Sequence, residues 1–391
     1  MTVEGDVAPG YEPVAEAFAA AVPADGPGGA LAAVVDGVPV VDVWAGTRDD
    51  AGSPWLADTA AVVFSGTKGV VATAVLVLLE RGQLDLSWPV RRLWPEFAAA
   101  GKSGILIGDV LGHTAGLPGL AWPLDARDLT DPERNFAALA GQAPITPIGT
   151  PSYHALTYGW LVDALVRRSD GRTLGRFVAE ELAQPLGLDL WIGLPESALD
   201  RVATIRPAPD YALSAFADSA TPGPRLALVY GSPPVRMAEW NTPPFLRAEI
   251  PAANGVATAR ALARLYGCLA AGGRIDGIRL LKPETVAAGA IERSSGPDPL
   301  TGRMLRFGTG FELAGTPSSL GPADDAFGHT GAGGSSHGAW PGLATGFSFV
   351  VSQMRTETRD GRAAAVLAAL RAAVQKVGQN RVEQPGCRGD G

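Results

Sequence analysis

Cysteine and histidine are scarce: the 391 residues hold two of the first and four of the second. Cys268 falls in an apolar helical pattern and Cys387 in the polar tail, so both are expected to be plain thiols of a reducing compartment, with no disulfide frame. His113, His154, His329 and His337 show neither His-x-x-x-His nor any Cys/His spacing, and no metal is implied. Glycines are plentiful, yet none form Gly-x-Gly-x-x-Gly between a strand and a helix, which removes a dinucleotide site and leaves no cofactor implied. There is no cluster of Lys and Arg and the formal charge is -8, so nucleic acid is not an expected partner. Long apolar runs are missing too. Nothing reaches the roughly 18 residues of a spanning helix, and "MTVEGDVAPGY" (1–11) is acidic where a secretory signal is basic and then apolar. The expected place is the cytoplasm, without a membrane partner.

What is present is an ordinary globular composition, 46% hydrophobic and 18% charged, long enough for one large domain or two lobes. "VAEAFAAAV" (14–22) is apolar at helical spacing, and "GALAAVVDGVPVVDVWAG" (29–46) predicts a hairpin around an Asp-Gly turn. "TKGVVATAVLVLLERG" (67–82) is a helix apolar on nearly every side, which belongs between layers. From 85 to 250 the chain turns rich in Pro, Gly and Trp, with helical pieces at 135–141 and 157–169. A helix over 254–273, strands over 305–314, 327–331 and 344–353, and a helix over 360–377 complete the pattern. This order predicts an α+β fold: an antiparallel sheet flanked by helices, built from residues 1–84 and 251–378, with a mostly helical lobe of long loops inserted at 85–250. Residues 379–391 are expected to be a disordered tail.

The chemistry centres on "VVFSGTKGVV" (62–71), where Ser65 stands three residues before Lys68. A serine hydroxyl needs a base to take its proton as it attacks, and a partly buried lysine of lowered pKa can serve. Ser-x-x-Lys alone is a weak signal; its bland alternative is a helix cap beside a solvated lysine. Two further stretches strengthen it. In "GTPSYHALTYGWLV" (149–162), Tyr153 lies on a loop before a helix, where its phenol can exchange a proton with a serine, or else merely staple the helix start. "FGHTGAGG" (327–334) runs a strand into glycines, so its N–H groups and that of Ser65 could form a two-donor oxyanion hole.

Together these pieces resemble the serine β-lactamase and penicillin-binding-protein-like superfamily, and within it the class C-like branch that includes the family VIII carboxylesterases. The resemblance spans roughly residues 14–375. It implies Ser65 as nucleophile, Lys68 as its base, Tyr153 as the catalytic tyrosine, and the Ser65 and Ala332 amides as oxyanion donors. His329, Thr330 and Gly331 stand for Lys-Thr-Gly and would line the substrate site; "GHTAGL" (112–117) resembles the His-Thr-Ser-Gly-Leu loop. Two departures bear on substrate: Ala155 replaces the asparagine of Tyr-x-Asn, and His329 replaces a lysine, leaving a residue mostly neutral at pH 7 that could still donate a hydrogen bond. Both favour an uncharged small-molecule ester over a β-lactam. The expected activity is a short-chain carboxylesterase; a β-lactamase, D-amino-acid peptidase or amidase, an acyltransferase, and a non-catalytic binding protein are the alternatives.

"GSSHG" (334–338) formally matches Gly-x-Ser-x-Gly with Ser336 as nucleophile, but no helix follows promptly and no histidine lies beyond His337. His113 is expected to fix a loop by hydrogen bonding. Trp122, Trp240 and Trp340 lie in loop-like stretches and could line an acyl pocket, though most tryptophans here should pack cores.

Overall fold

The structure is a computed structural model that describes residues 2–122, 129–217, 226, 228–229, 237–315 and 320–383. Nine strands form one sheet: β1 (Glu4–Val7), β2 (Gly29–Val35), β3 (Val38–Ala45), β4 (Ser294–Pro297), β5 (Met304–Phe307), β6 (Glu312–Leu313), β7 (Phe327–Gly331), β8 (Ser335–Trp340) and β9 (Thr345–Val351). Their spatial order is β1-β3-β2-β9-β8-β7-β6-β5-β4, every neighbour antiparallel. Inside the sheet β2 pairs with β9, two strands from opposite ends of the chain. The β2–β3 turn is the expected Asp-Gly hairpin, with Asp36 at φ 50 and Gly37 at φ 78.

Alternation along the strands sends side chains to two interiors. Leu31, Ala33, Phe347, Phe349 and Trp340 point to one face, where α1 (Glu12–Ala21) and α5 (Arg362–Glu383) pack on them and on each other. Ala30, Ala32, Val34, Phe327 and Ala339 point to the other. There α4 (Ala259–Ala270) lies across β2, β8 and β9, while α2 (Thr67–Glu80) packs on β7. On its far side α2 meets α3 (Thr157–Ser169) and the helix Leu174–Val178, so every residue from Thr67 to Leu78 is buried, as its all-round apolarity predicts.

Within this sheet three strands lie outside the expected ones, and the one strand expected over 305–314 is two, β5 and β6. β1 is a short charged edge strand and β4 the edge at the opposite side, positions that tolerate polar and glycine residues. β8, "SSHGAW", is buried at every position because β7 and β9 pair with it on both sides; its glycine and serines hide that from any local reading. At the C-terminus, α5 runs to Glu383, so residues 379–383 are helical where a disordered tail is expected. No glycine or proline follows Gly378 until Pro385, and a helix generally stops before a proline. Residues 384–391, with Cys387, lie outside the described residues. Cys268 is buried, and burial pushes its thiol up to about 12. Among the described residues, no helix is long and apolar enough to cross a membrane.

Candidate active site

Ser65 sits in a single tight turn, Phe64–Gly66, that leads into α2. Phe64 adopts φ 45, a left-handed conformation that costs a bulky residue about 1–2 kcal/mol. Packing secures it: its ring stands edge-on to Trp240, with centroids 5.4 Å apart. Thr67 ties the turn down, donating from Oγ1 to the Phe64 carbonyl (2.6 Å) and accepting from Gly255 N–H (2.8 Å), while Val63 N–H donates to Gly255 O (2.9 Å). The Ser65 hydroxyl is therefore not a helix cap. Its Oγ lies 3.1 Å from Lys68 Nζ and 2.9 Å from Tyr153 Oη.

Lys68 is fully buried, not solvated. Its Nζ also faces the carbonyls of Ala155 at 2.8 Å and Ala252 at 2.9 Å. Burial holds its pKa well below the ordinary lysine value, against the opposing pull of the Glu312 carboxylate. In the neutral amine two N–H groups go to the two carbonyls, which can only accept. The remaining lone pair then faces the Ser65 hydroxyl, which is the orientation a base requires. Neither carbonyl is visible as a site element in sequence, since a backbone oxygen carries no residue-type signal.

Tyr153 arrives on the loop before α3, and the loop 113–117 forms its bed. Gly149 N–H donates to Thr114 O (2.8 Å), Ser152 N–H to His113 O (2.9 Å), and His154 N–H to His113 Nδ1 (3.0 Å). His154 completes the lattice: its Nδ1–H donates to Ser152 O (2.6 Å) and its Nε2 accepts from Leu117 N–H (3.1 Å). Burial keeps both rings neutral, His113 well below its ordinary pKa and His154 down to about 4. His113 thus fixes a loop, as expected. The Tyr153 ring lies near parallel to Phe307 (6.0 Å, 11°), with Lys68 Nζ 4.9 Å from its centroid.

The β7 residues are positioned from the sheet. His329 is buried, and desolvation lowers its pKa to about 4 although Glu312 Oε2 stands 3.8 Å away. Its Nδ1 is 2.7 Å from the Thr330 carbonyl, so Nδ1 carries the proton and Nε2 a lone pair. The expected spare hydrogen-bond donor is therefore corrected: the donor is already spent on the backbone. Thr330 gives both its N–H (3.1 Å) and its hydroxyl (2.9 Å) to Glu312 Oε2. Gly331 is a close approach, since a Cβ there would lie 2.3 Å from Val63 O. That contact carries the end of β7, and Ala332 after it, alongside the turn of Ser65. Glu312, which organises this corner, escaped the sequence reading because a lone acid on a short strand has no distinguishing pattern.

Ser336 lies mid-strand in β8, 1% exposed and paired on both sides, so it has no elbow and no approach. Trp340 is locked in the opposite interior, its Nε1–H donating to Leu320 O (2.8 Å). Of the three tryptophans, Trp240 packs edge-on against Phe64 of the serine turn, and Trp122 is only partly buried against the core.

A profile of the family described as Beta-lactamase matches residues 15–371. The chain belongs to that family. It is accordingly a serine-hydrolase-type member of the β-lactamase and penicillin-binding-protein superfamily, on the esterase side of it. The chain is similar to the esterase/beta-lactamase LipL of Mycobacterium tuberculosis, 42% identical over 90% of this chain and 83% of that protein. Among solved structures it resembles a penicillin-binding-protein homologue from Caulobacter crescentus, 36% identical with a TM-score of 0.87, covering 95% of this chain and all (100%) of that one. It also resembles a family VIII carboxylesterase, 33% identical with a TM-score of 0.86 over 95% of this chain and 100% of that chain.

Proposed function

We propose that this β-lactamase-family protein hydrolyses short-chain carboxylic esters through an acyl-enzyme at Ser65, in a cleft between the sheet-bearing lobe and the inserted residues 85–250. The observation that carries this reading is the convergence of a buried amine and a phenol on one hydroxyl: Lys68 Nζ at 3.1 Å and Tyr153 Oη at 2.9 Å from Ser65 Oγ. Ser65 Oγ attacks the ester carbonyl carbon while its proton passes to the Lys68–Tyr153 pair. The carbonyl oxygen becomes an oxyanion held by the Ser65 and Ala332 N–H groups. As the C–O bond to the alcohol breaks, Tyr153 gives a proton to the departing oxygen. Water then attacks the acyl carbon, losing its proton to the same pair, and Ser65 leaves reprotonated with the carboxylic acid as second product.

The choice of an ester over a β-lactam rests on charge. His329 occupies the position where the superfamily's Lys-Thr-Gly motif places a cation, and with its pKa held to about 4 it offers none at neutral pH to a substrate carboxylate. Ala155 has no side-chain amide, and its contribution here is the carbonyl that holds Lys68. One resembling structure is a carboxylesterase, which supports the same reading, while the name of the mycobacterial relative joins both activities.

The test is intact mass after brief exposure to p-nitrophenyl butyrate, together with p-nitrophenol release, in wild type and Ser65→Ala. An adduct of one butyryl group and turnover, both lost in the variant, are expected. Turnover that survives Ser65→Ala overturns the assignment, and a cephalosporin cleaved faster than the ester overturns the substrate class.

A further inference from the structure

The turn joining β7 to β8, Ala332–Gly334, is gripped from beneath by side chains that no part of the proposed reaction uses. Gly333 N–H donates to Glu357 Oε1 at 2.8 Å. Gly333 O accepts from Arg362 Nη2 at 3.1 Å and from Arg355 N–H at 3.2 Å. Arg362 is in turn locked to Asp360: Nε lies 2.9 and 3.0 Å from its two carboxylate oxygens and Nη2 2.7 Å from Oδ2. Both side chains are buried, 7% and 2% exposed.

The turn is moulded onto this pair. Gly334 has φ 108, and a Cβ on it would sit 2.1 Å from Asp360 Oδ2; a Cβ on Gly333 would sit 2.7 Å from the Met354 side chain. The consequence reaches the proposed oxyanion donor through one peptide plane. The Ala332 N–H shares its plane with the Gly331 carbonyl, which accepts from Gly334 N–H at 3.3 Å. Pressing Gly334 on Asp360 and tying both polar groups of Gly333 to charged partners therefore fixes the direction of the Ala332 N–H. Glu357 extends the grip, since its second oxygen accepts from Ser214 N–H at 3.0 Å, at the start of the helix Ser214–Ala217 in the inserted segment.

A buried ion pair is a poor stabiliser, because desolvation offsets most of its attraction; its planar, bidentate geometry is what an apolar replacement lacks. We propose that Glu357 and the Asp360–Arg362 pair are positioning residues that aim the Ala332 amide at the developing oxyanion. The proposal rests on the reading of Ala332 as an oxyanion donor. None of the three side chains touches the reacting atoms.

The experiment compares wild type with Glu357→Ala, Asp360→Asn and Arg362→Lys for p-nitrophenyl butyrate hydrolysis and for inhibition by a butylboronic acid, whose tetrahedral adduct fills the oxyanion position. Expected is a fall in kcat of about 10- to 100-fold with KM within about twofold, as for a misaimed group. The boronate inhibition constant should rise in proportion to the loss of kcat/KM, a correlation that mere loss of folded protein does not produce. If Asp360→Asn does not fold, the partly exposed Glu357→Ala carries the test. Folded variants with wild-type kcat and boronate affinity overturn the proposal. Ser65→Ala is measured alongside: turnover that survives there defeats the underlying reading, whereas a dead Ser65→Ala with an unaffected Glu357→Ala defeats only the positioning role.

Discussion

The two faces of the sheet are built from the same strands, yet polar groups thread the interior of only one. Against α1 and α5 the filling is apolar, with Val14, Phe18, Leu31, Phe347, Phe349, Trp340, Val366 and Leu370 in one cluster. On the other face an apolar cluster with Val34, Val70, Leu262 and Phe327 is crossed by a polar row, Ser348 opposite His337 and His337 opposite His329. His337 abuts the nucleophile turn directly, since a Cβ on Gly66 would lie 2.6 Å from its ring; Tyr266 abuts α2 one turn later, its Oη 2.0 Å from the place of a Cβ on Gly69. Lys68 joins them, buried and held largely by backbone oxygens. Burying polar groups is costly. Apolar packing on both faces offsets that cost, and substitutions in the polar row and in the interior against α1 and α5 should separate activity from stability.

The widest separation is expected from Lys68→Met and Tyr153→Phe. Each removes a proposed proton carrier from Ser65 without changing the interior against α1 and α5, and kcat/KM should drop on the order of 10²- to 10⁴-fold with little change in the unfolding midpoint. Equal losses of activity and of folded protein would erase the distinction between the faces. Phe349→Ala is the converse. It hollows the apolar interior beside Phe18 (ring centroids 6.3 Å apart) and should cost about 3–5 kcal/mol in denaturant unfolding, with kcat per folded molecule unchanged.

A smaller effect should appear in acid. His154 and His329 are held near pKa 4 and His337 near 3 by burial, against 6.5 for an ordinary histidine. Between these values the unfolded chain binds protons that the folded one refuses, so stability is lost as pH falls from about 6.5 toward 4. Each such histidine contributes up to about 1.4 kcal/mol per pH unit. His337→Asn should reduce that slope by one proton in urea titrations at pH 6.5, 5.5 and 4.5; an unchanged slope would mean that His337 is already charged in the fold.

Much of this was legible from the chain alone. The Asp-Gly hairpin, the all-apolar helix after Ser65, the loop of Tyr153 and the glycine-ended strand at His329 each carry a local signature of period, turn chemistry or backbone need. The strand Ser335–Trp340 carries none: it is held by partners on both sides, and its own residues favour no state. The end of α5 runs on through polar residues whose composition alone predicts disorder, because the nearest strong helix breaker is Pro385.

At the site the division is sharper. The residue types and their order, Ser65, Lys68, Tyr153 and His329, are properties of the sequence, as is the family to which they point. That Lys68 is buried with its pKa lowered, that His329 is neutral with its donor spent, and that Gly333 is clamped by Glu357 and Arg362 are properties of the fold alone. The physical reason is that charge state and aim depend on desolvation and on backbone carbonyls brought from residues 155 and 252 to meet a lysine at 68. A sequence names the groups; only packing decides what surrounds them.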